Sequence, residues 1–188
     1  MRIATAVATG LALFGSLTPP AGAAPEPAPL VLVFDLSGSM WGQIGGEAKI
    51  VGARRVIGEL GDRLAEGTPT ALVAYGHRRE SDCTDIETVL PLAPLDPVRV
   101  AALIGRTEAK NLAKTPIADS LALVASDLKG AEGRALILLL TDGDDYRSRF
   151  SAHQASLQAR SAGVPIYMIS LAALDSLRLA TRKTVMFI

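Results

Sequence analysis

The sequence predicts an α/β fold in three layers: a doubly wound, mostly parallel sheet with helices on both faces and one short antiparallel edge strand. Three observations carry this. Short, almost wholly apolar runs alternate with amphipathic helical patterns, as expected of strands buried on both faces and joined by crossover helices. The hydrophobic fraction is 49% over 188 residues, enough for one domain with a core, and with only 4% aromatics that core must be Val, Leu, Ile and Ala. Two of the runs, LVLVFD and ALILLLTD, end in an aspartate, at the carboxyl edge where such sheets bind ligands.

Taken in order, residues 1–23 (MRIATAVATGLALFGSLTPPAGA) have a basic start at Arg2, an apolar stretch from Ile3 to Leu17, and small residues Ala21-Gly22-Ala23. That is the layout of a secretory signal peptide cleaved after Ala23. A retained anchor is the rival reading, but the apolar run falls short of the roughly 20 residues a spanning helix needs and ends in Pro19-Pro20. No cysteine stands directly after the cleavage point, which argues against a lipoprotein. The chain is therefore expected to be exported, periplasmic or secreted, without stable membrane insertion once the leader is removed. Ala24 to Pro29 (APEPAP) reads as an extended proline-rich spacer, and residues 30–188 as the domain.

Leu30 to Leu36 is a continuous apolar strand. Ile50, Ala53, Ile57, Leu60 and Leu64 recur three and four apart, predicting a helix across residues 47–65. Thr70 to Tyr75 is a second strand, and Thr88 to Leu92 a short third, bounded by prolines that suit a sheet edge. Val98 to Thr107 is a short helix. A longer helix opens at Thr115-Pro116, a hydroxyl at the cap and a proline in the first turn, with Ile117, Leu121, Val124 and Leu128 on one face. Ala135 to Leu140 is the most apolar strand and runs into Thr141-Asp142-Gly143. Ser148 to Ala162 is helical, Val164 to Leu171 a strand, Leu174 to Thr181 a last short helix and Val185 to Ile188 a final strand. The chain ends at Ile188 where that strand forms, which leaves truncation of this edge open.

Removing the leader takes away Arg2 alone, leaving 18 basic against 19 acidic residues. A near-neutral surface gives no argument for nucleic acid or an anionic membrane as partner. Cys83 is the only cysteine and cannot form an internal disulfide, so it is free, paired to another chain or simply tolerated. His77 and His153 are the only histidines, so a zinc site built on histidine is poorly supported.

Three segments converge on one edge of the predicted sheet: Asp35-x-Ser37-x-Ser39, Thr115 at a helix start, and Asp142-Gly143 after the ALILLL strand. A buried carboxylate needs a cation, hydrogen-bond donors or solvent. Carboxylates, hydroxyls and room for water are the oxygen ligands that a hard dication such as Mg2+ prefers. Gly38 lets the loop turn tightly enough to aim both serines inward. The competing reading is that Asp35, Ser37 and Ser39 merely cap turns and helix ends, as Asp and Ser do routinely. Thr115 and Asp142 at the expected topological positions weigh against it.

This D-x-S-x-S motif with a distant threonine and a later strand-end aspartate resembles a von Willebrand factor A domain with its metal-ion-dependent adhesion site. The stretches DLSGSMWG, AYGHRRESDCTDIE and KTPIADSL are similar to a bacterial exported branch of that family. The resemblance covers roughly residues 29–188 and implies a Rossmann-like fold. It implies that Ser37 and Ser39 bind the metal directly, Thr115 directly or through water, and Asp35 and Asp142 mostly through water. The cofactor so implied is Mg2+, with Mn2+ or Ca2+ as substitutes, and the partner a protein presenting an Asp or Glu side chain to the open position. Relatives of this branch often carry a cysteine pair after the late aspartate, absent from DDYRSRF, and glycines where this chain has ISLAALDSL.

Trp41 either meets a partner beside the metal or closes over the loop onto the first helix, packing being the preferred reading. His77-Arg78-Arg79 with Glu80, Asp82 and Asp85 reads as a solvated loop whose charges cancel, the alternative being a patch that steers an acidic ligand. Asp144 and Asp145 extend the acidic tip, and Lys114 reads as a surface charge.

The expected function is an exported, metal-dependent protein-binding module for adhesion or assembly, without enzymatic activity. One alternative is a metal-free scaffold. Another is a Mg2+-dependent hydrolase resembling haloacid dehalogenase-like phosphatases, which use D-x-D-x-[TV] at the first strand. Here Ser37 stands where the second aspartate belongs, and no P-loop, Gly-x-Ser-x-Gly elbow or Cys-His pair appears.

Overall fold

The computed structural model of the chain describes residues 27–129, 135–143, 148–171 and 185–187. The leader and the helix expected at Leu174 to Thr181 lie outside the described residues, as do Asp144 and Asp145. No described helix is long and apolar enough to cross a membrane.

Six strands form the main sheet: β1 (Leu30–Asp35), β4 (Pro69–Tyr75), β5 (Ile86–Pro94), β6 (Leu136–Thr141), β7 (Ile166–Ser170) and β8 (Val185–Phe187), in the order β5-β4-β1-β6-β7-β8. β1 pairs in parallel with β4 and β6, and β6 with β7. The chain leaves β1 toward β4 on one side and returns to β6 on the other, so the order reverses at β1, where an open α/β sheet forms its binding crevice.

Both outermost pairings are antiparallel, β4 with β5 and β7 with β8, where one short antiparallel edge was expected. β5 is also longer than predicted, running through Pro91 to Pro94 instead of stopping between prolines. An edge strand tolerates them because it has an unpaired side, and the register shifts opposite Thr70 to Val73 relieve the ladder there.

Helices α1 (Lys49–Gly61) and α2 (Pro97–Arg106) cover one face, α3 (Ile117–Asp127) and α4 (Ala152–Ser161) the other. The two-residue alternation of the strands divides the core between them. Leu30, Leu32 and Phe34 pack with Ile50, Ala53 and Ile57 of α1 and Val100 and Ile104 of α2. Val31 and Val33 pack with Leu121 and Val124 of α3 and Ala155 and Ala159 of α4.

The starts of α1 and α4 differ from expectation. Residues 47–48 belong to a small antiparallel hairpin, β2 (Gln43–Ile44) and β3 (Glu47–Ala48), turned by Gly45 and Gly46 at φ of 61° and 87°. α4 begins at Ala152 instead of Ser148, because Ser151 and Gln154 form a reciprocal capping box there.

Candidate metal centre

Strand register builds the floor of the site. Asp35 pairs with Tyr75 on β4, and Phe34 with Leu140 on β6, so Tyr75, Asp35 and Thr141 fall in a row across three adjacent strands. By alternation the row lies on the α3–α4 face, the same face as Val33 and Leu139. Asp35 is fully buried; its Oδ1 accepts the Ser37 backbone N–H at 2.8 Å and its Oδ2 the Thr141 hydroxyl at 2.5 Å. Burial pushes the Asp35 carboxyl above its ordinary value, against the pull of hydrogen bonds from Ser37 and Thr141. Burial, and next the charge of Asp35, push the Tyr75 hydroxyl well up. That hydroxyl is fully buried near Asp35 and Thr141, yet has no hydrogen bond of normal geometry among the described residues.

Above this floor the chain leaves β1, buries Leu36 and turns through a short 3-10 helix, Gly38–Trp41. The turn brings Ser37 Oγ and Ser39 Oγ to 3.0 Å, and Ser39 Oγ donates to Asp142 Oδ1 at 2.8 Å. The segment leading to α3 approaches from the side. A Cβ on Gly76, at φ 72°, would lie 2.9 Å from the Lys114 carbonyl and 3.1 Å from Ser37 N, so only glycine lets the chain before Thr115 come so close to Ser37. Thr115 is buried, but it is not the cap of α3; the N-cap is Pro116, with no side-chain hydrogen bond there. The hydroxyl expected at a cap is thus not spent on capping.

The structure therefore brings Asp35, Ser37, Ser39 and Asp142 into one hydrogen-bonded set at the carboxyl edge, with the chain before Thr115 passing close to Ser37. A hard dication fits this donor set. Adjacent corners of a Mg2+ octahedron with ligands at about 2.1 Å are about 3.0 Å apart, the separation of the two serine hydroxyls. Among the described residues no group of three or more His, Cys, Asp or Glu is placed to share a metal, so a cation here would draw on hydroxyls.

One member of the site was not singled out in the sequence. Lys49, the first residue of α1, donates from Nζ to Asp142 Oδ2 at 2.7 Å, with Asp142 only 1% exposed and Lys49 19%. A single lysine at a helix start carries no signal of its own; the GG hairpin that aims it was the readable clue.

Trp41 is 45% exposed, and its indole N–H donates to the Ala109 carbonyl at 2.8 Å. The hydrogen bond ties it to the loop before α3. Leu112, on that same loop, is 72% exposed at φ 60°, and its backbone N abuts Gly38. The charged loop after β4 is not merely solvated. Asp85 is fully buried and accepts from the backbone N–H groups of Arg78 and Arg79 and from Arg78 Nε. Burial pushes its carboxyl up, but the bonds from the Arg78 and Arg79 backbones and the Arg78 side chain outweigh this and hold it below its ordinary value. Asp119 on α3, also missed, accepts from Arg149 N and Phe150 N, both at 2.9 Å, and from Arg149 Nε, clamping the chain before α4.

Proteins of known structure share this architecture. BatB from Bacteroides thetaiotaomicron, a conserved hypothetical protein, superimposes with a TM-score of 0.63 at 20% identity, covering 76% of this chain and 66% of that one. An aerotolerance-related membrane protein from Bacteroides fragilis NCTC 9343 gives 0.61 at 18% identity, covering 86% and 81%. Proximal thread matrix protein 1 from the mussel byssus, with a zinc-occupied MIDAS motif, gives 0.62 at 20% identity, covering 77% and 36%. At these identities the likeness shows the fold. In sequence, the uncharacterised protein YwmD of Bacillus subtilis (strain 168) is 29% identical over 127 residues, 62% of this chain, which spans 55% of that relative's length. The model of the von Willebrand factor type A domain matches residues 30–183, from the first residue of β1 to beyond β7. The chain belongs to the von Willebrand factor type A domain family.

Proposed function

We propose that this is an exported protein-binding module in which Ser37 and Ser39 hold a divalent cation directly, Thr115 directly or through water, and Asp35 and Asp142 through water. The observation that carries the reading is the continuous set Ser37 Oγ, Ser39 Oγ and Asp142 Oδ1, at 3.0 and 2.8 Å, placed where the strand order reverses. When bound, a cation there supplies a Lewis-acidic position for an Asp or Glu side chain of a protein partner. Mg2+ is the cation the oxygen donors favour, with Mn2+ or Ca2+ as substitutes. The zinc-occupied motif of the byssus protein, a structure of the same fold, supports divalent occupancy. The exposed Trp41 and Leu112 give the partner's flanking residues an apolar rim.

The phosphatase reading fares worse. A phosphoryl-accepting aspartate must present an oxygen to substrate, whereas Asp35 is fully buried with both oxygens engaged. The ion pair of Lys49 with Asp142 is the observation that favours a metal-free scaffold. Isothermal titration of the chain with Mg2+ and Mn2+, with and without a short acidic peptide, separates the two. Millimolar or tighter cation binding is expected, lost in Ser39→Ala and Asp35→Ala variants whose circular dichroism is unchanged. Wild-type binding unaffected by either substitution would remove the proposed site.

A further inference from the structure

Lys49 stands against the acidic residue on which the proposed cation depends, and the fold is arranged to put it there. The β2–β3 hairpin returns the chain so that the Lys49 N–H bonds the Gly42 carbonyl at 2.9 Å. A Cβ on Gly42 would make ordinary contact with Lys49, 3.4 Å from Nζ and 3.5 Å from Cε, so the lysine side chain lies against the turn that follows Trp41 on its way to Asp142. The ammonium is mostly withdrawn from solvent and its acceptor almost wholly so.

From this geometry we infer that Lys49 is a built-in counter-charge that sets the affinity of the site for divalent cations, an inference that rests on the metal reading above. It acts in two ways. By bonding Oδ2 it keeps Oδ1 aimed at Ser39, which holds the ligand set in place. By placing a positive charge on Asp142 it opposes a dication, so that the site fills only at high cation concentration or when a partner's carboxylate adds negative charge. A unit charge about 5 Å from a dication changes its affinity about tenfold even at the dielectric of water. Cation and acidic partner are then expected to bind cooperatively, because the partner's charge offsets that of the lysine.

Isothermal titration of the chain with Mg2+ and Mn2+ tests this on wild type, Lys49→Met, Lys49→Gln and Lys49→Arg. The neutral variants are expected to bind the cation about tenfold or more tightly than wild type, and Lys49→Arg to stay within about threefold of it. The rise in melting temperature on adding Mg2+ should be larger in the neutral variants, although their melting temperature in EDTA is lower because Asp142 has lost its partner. If Lys49 serves stability alone, the EDTA value falls while cation affinity stays equal or weakens, and the inference is overturned. Lys49→Gln keeps the test usable should Lys49→Met fail to fold. Absence of cation binding in every protein overturns the metal reading and this inference together, whereas equal binding in all four overturns this inference alone.

Discussion

Replacing Asp35 by Asn separates the cost of the site from its use. The carboxylate is fully buried and, among the described residues, has no ion-pair partner; its compensation is the Ser37 N–H at 2.8 Å and the Thr141 hydroxyl at 2.5 Å. Removing a carboxylate from water costs several kcal/mol, and hydrogen bonds to a charged acceptor return about 1.5–3 kcal/mol each. Burial holds the carboxyl above its ordinary value, so folding disfavours its ionised form relative to the unfolded chain. An asparagine of the same shape keeps both contacts, since its oxygen accepts from Ser37 and its amide donates to Thr141. Asp35→Asn should therefore stabilise the fold in EDTA by about 1–2 kcal/mol, or about 2–8 °C in melting temperature for a chain of this size. In Mg2+ at a hundredfold excess over its dissociation constant the wild type gains about 2.7 kcal/mol and overtakes the variant, which gains much less. Differential scanning calorimetry with and without Mg2+ reads both numbers. A variant less stable than wild type in EDTA by more than about 1 kcal/mol would refute the reasoning, because Asp35 would then be a net structural anchor. Equal Mg2+ shifts in the two proteins would refute its role toward the cation.

The clamp on α3 and the buried acid after β4 give two further tests. Asp119→Ala removes the acceptor of two backbone N–H groups and should cost about 2–4 kcal/mol in urea unfolding, while Arg149→Ala should cost less than about 1 kcal/mol, because that side chain is 76% exposed; equal costs would show that the ion pair, not the backbone clamp, matters. Asp85→Ala should cost about 3 kcal/mol at pH 7. Because its folded value lies below the ordinary one, Asp85 contributes fully above about pH 4 and loses that contribution as the pH falls through the folded value, so the variant should show a flatter acid limb of stability against pH; parallel limbs would contradict this.

What the sequence made legible follows from how local each signal is. The buried parallel strands announce themselves as apolar runs, and β1 and β6 were placed to within a residue or two, which fixed Asp35 and Asp142 at the same edge. Thr115 was read both as a helix cap and, through the family resemblance, as a site residue; the cap proves to be Pro116. The hairpin before α1 was overrun by helical periodicity, although Gly45-Gly46 is a two-residue turn signal and the true helix could begin only after it. Lys49, Asp85 and Asp119 were not readable as structural residues. Lys49 and Asp119 meet partners 93 and about 30 residues away, and Asp85 owes its burial to a loop folding back on itself. A charged side chain in isolation reads as solvated, and only tertiary placement makes it a buried acceptor or its counter-ion.

The same alternation that divides the core also divides the site. Thr141 follows Ile137 and Leu139 onto the α3–α4 face, where it meets Asp35; Asp142, one residue further, reaches Lys49 at the start of α1, beneath the opposite layer. Ser39 bridges the two through Ser37 on one side and Asp142 on the other. A slip of one residue in β6 would send Thr141 toward α1 and bury Leu140 against α3, exchanging the partners of both aspartates while reversing the packing of the whole strand. Register in the central strands, held by the apolar residues of both layers, is therefore what sets where Asp35, Thr141 and Asp142 stand relative to one another. The loops after β1 and β6 can carry polar chemistry because the strands beneath them leave no freedom in where each loop begins.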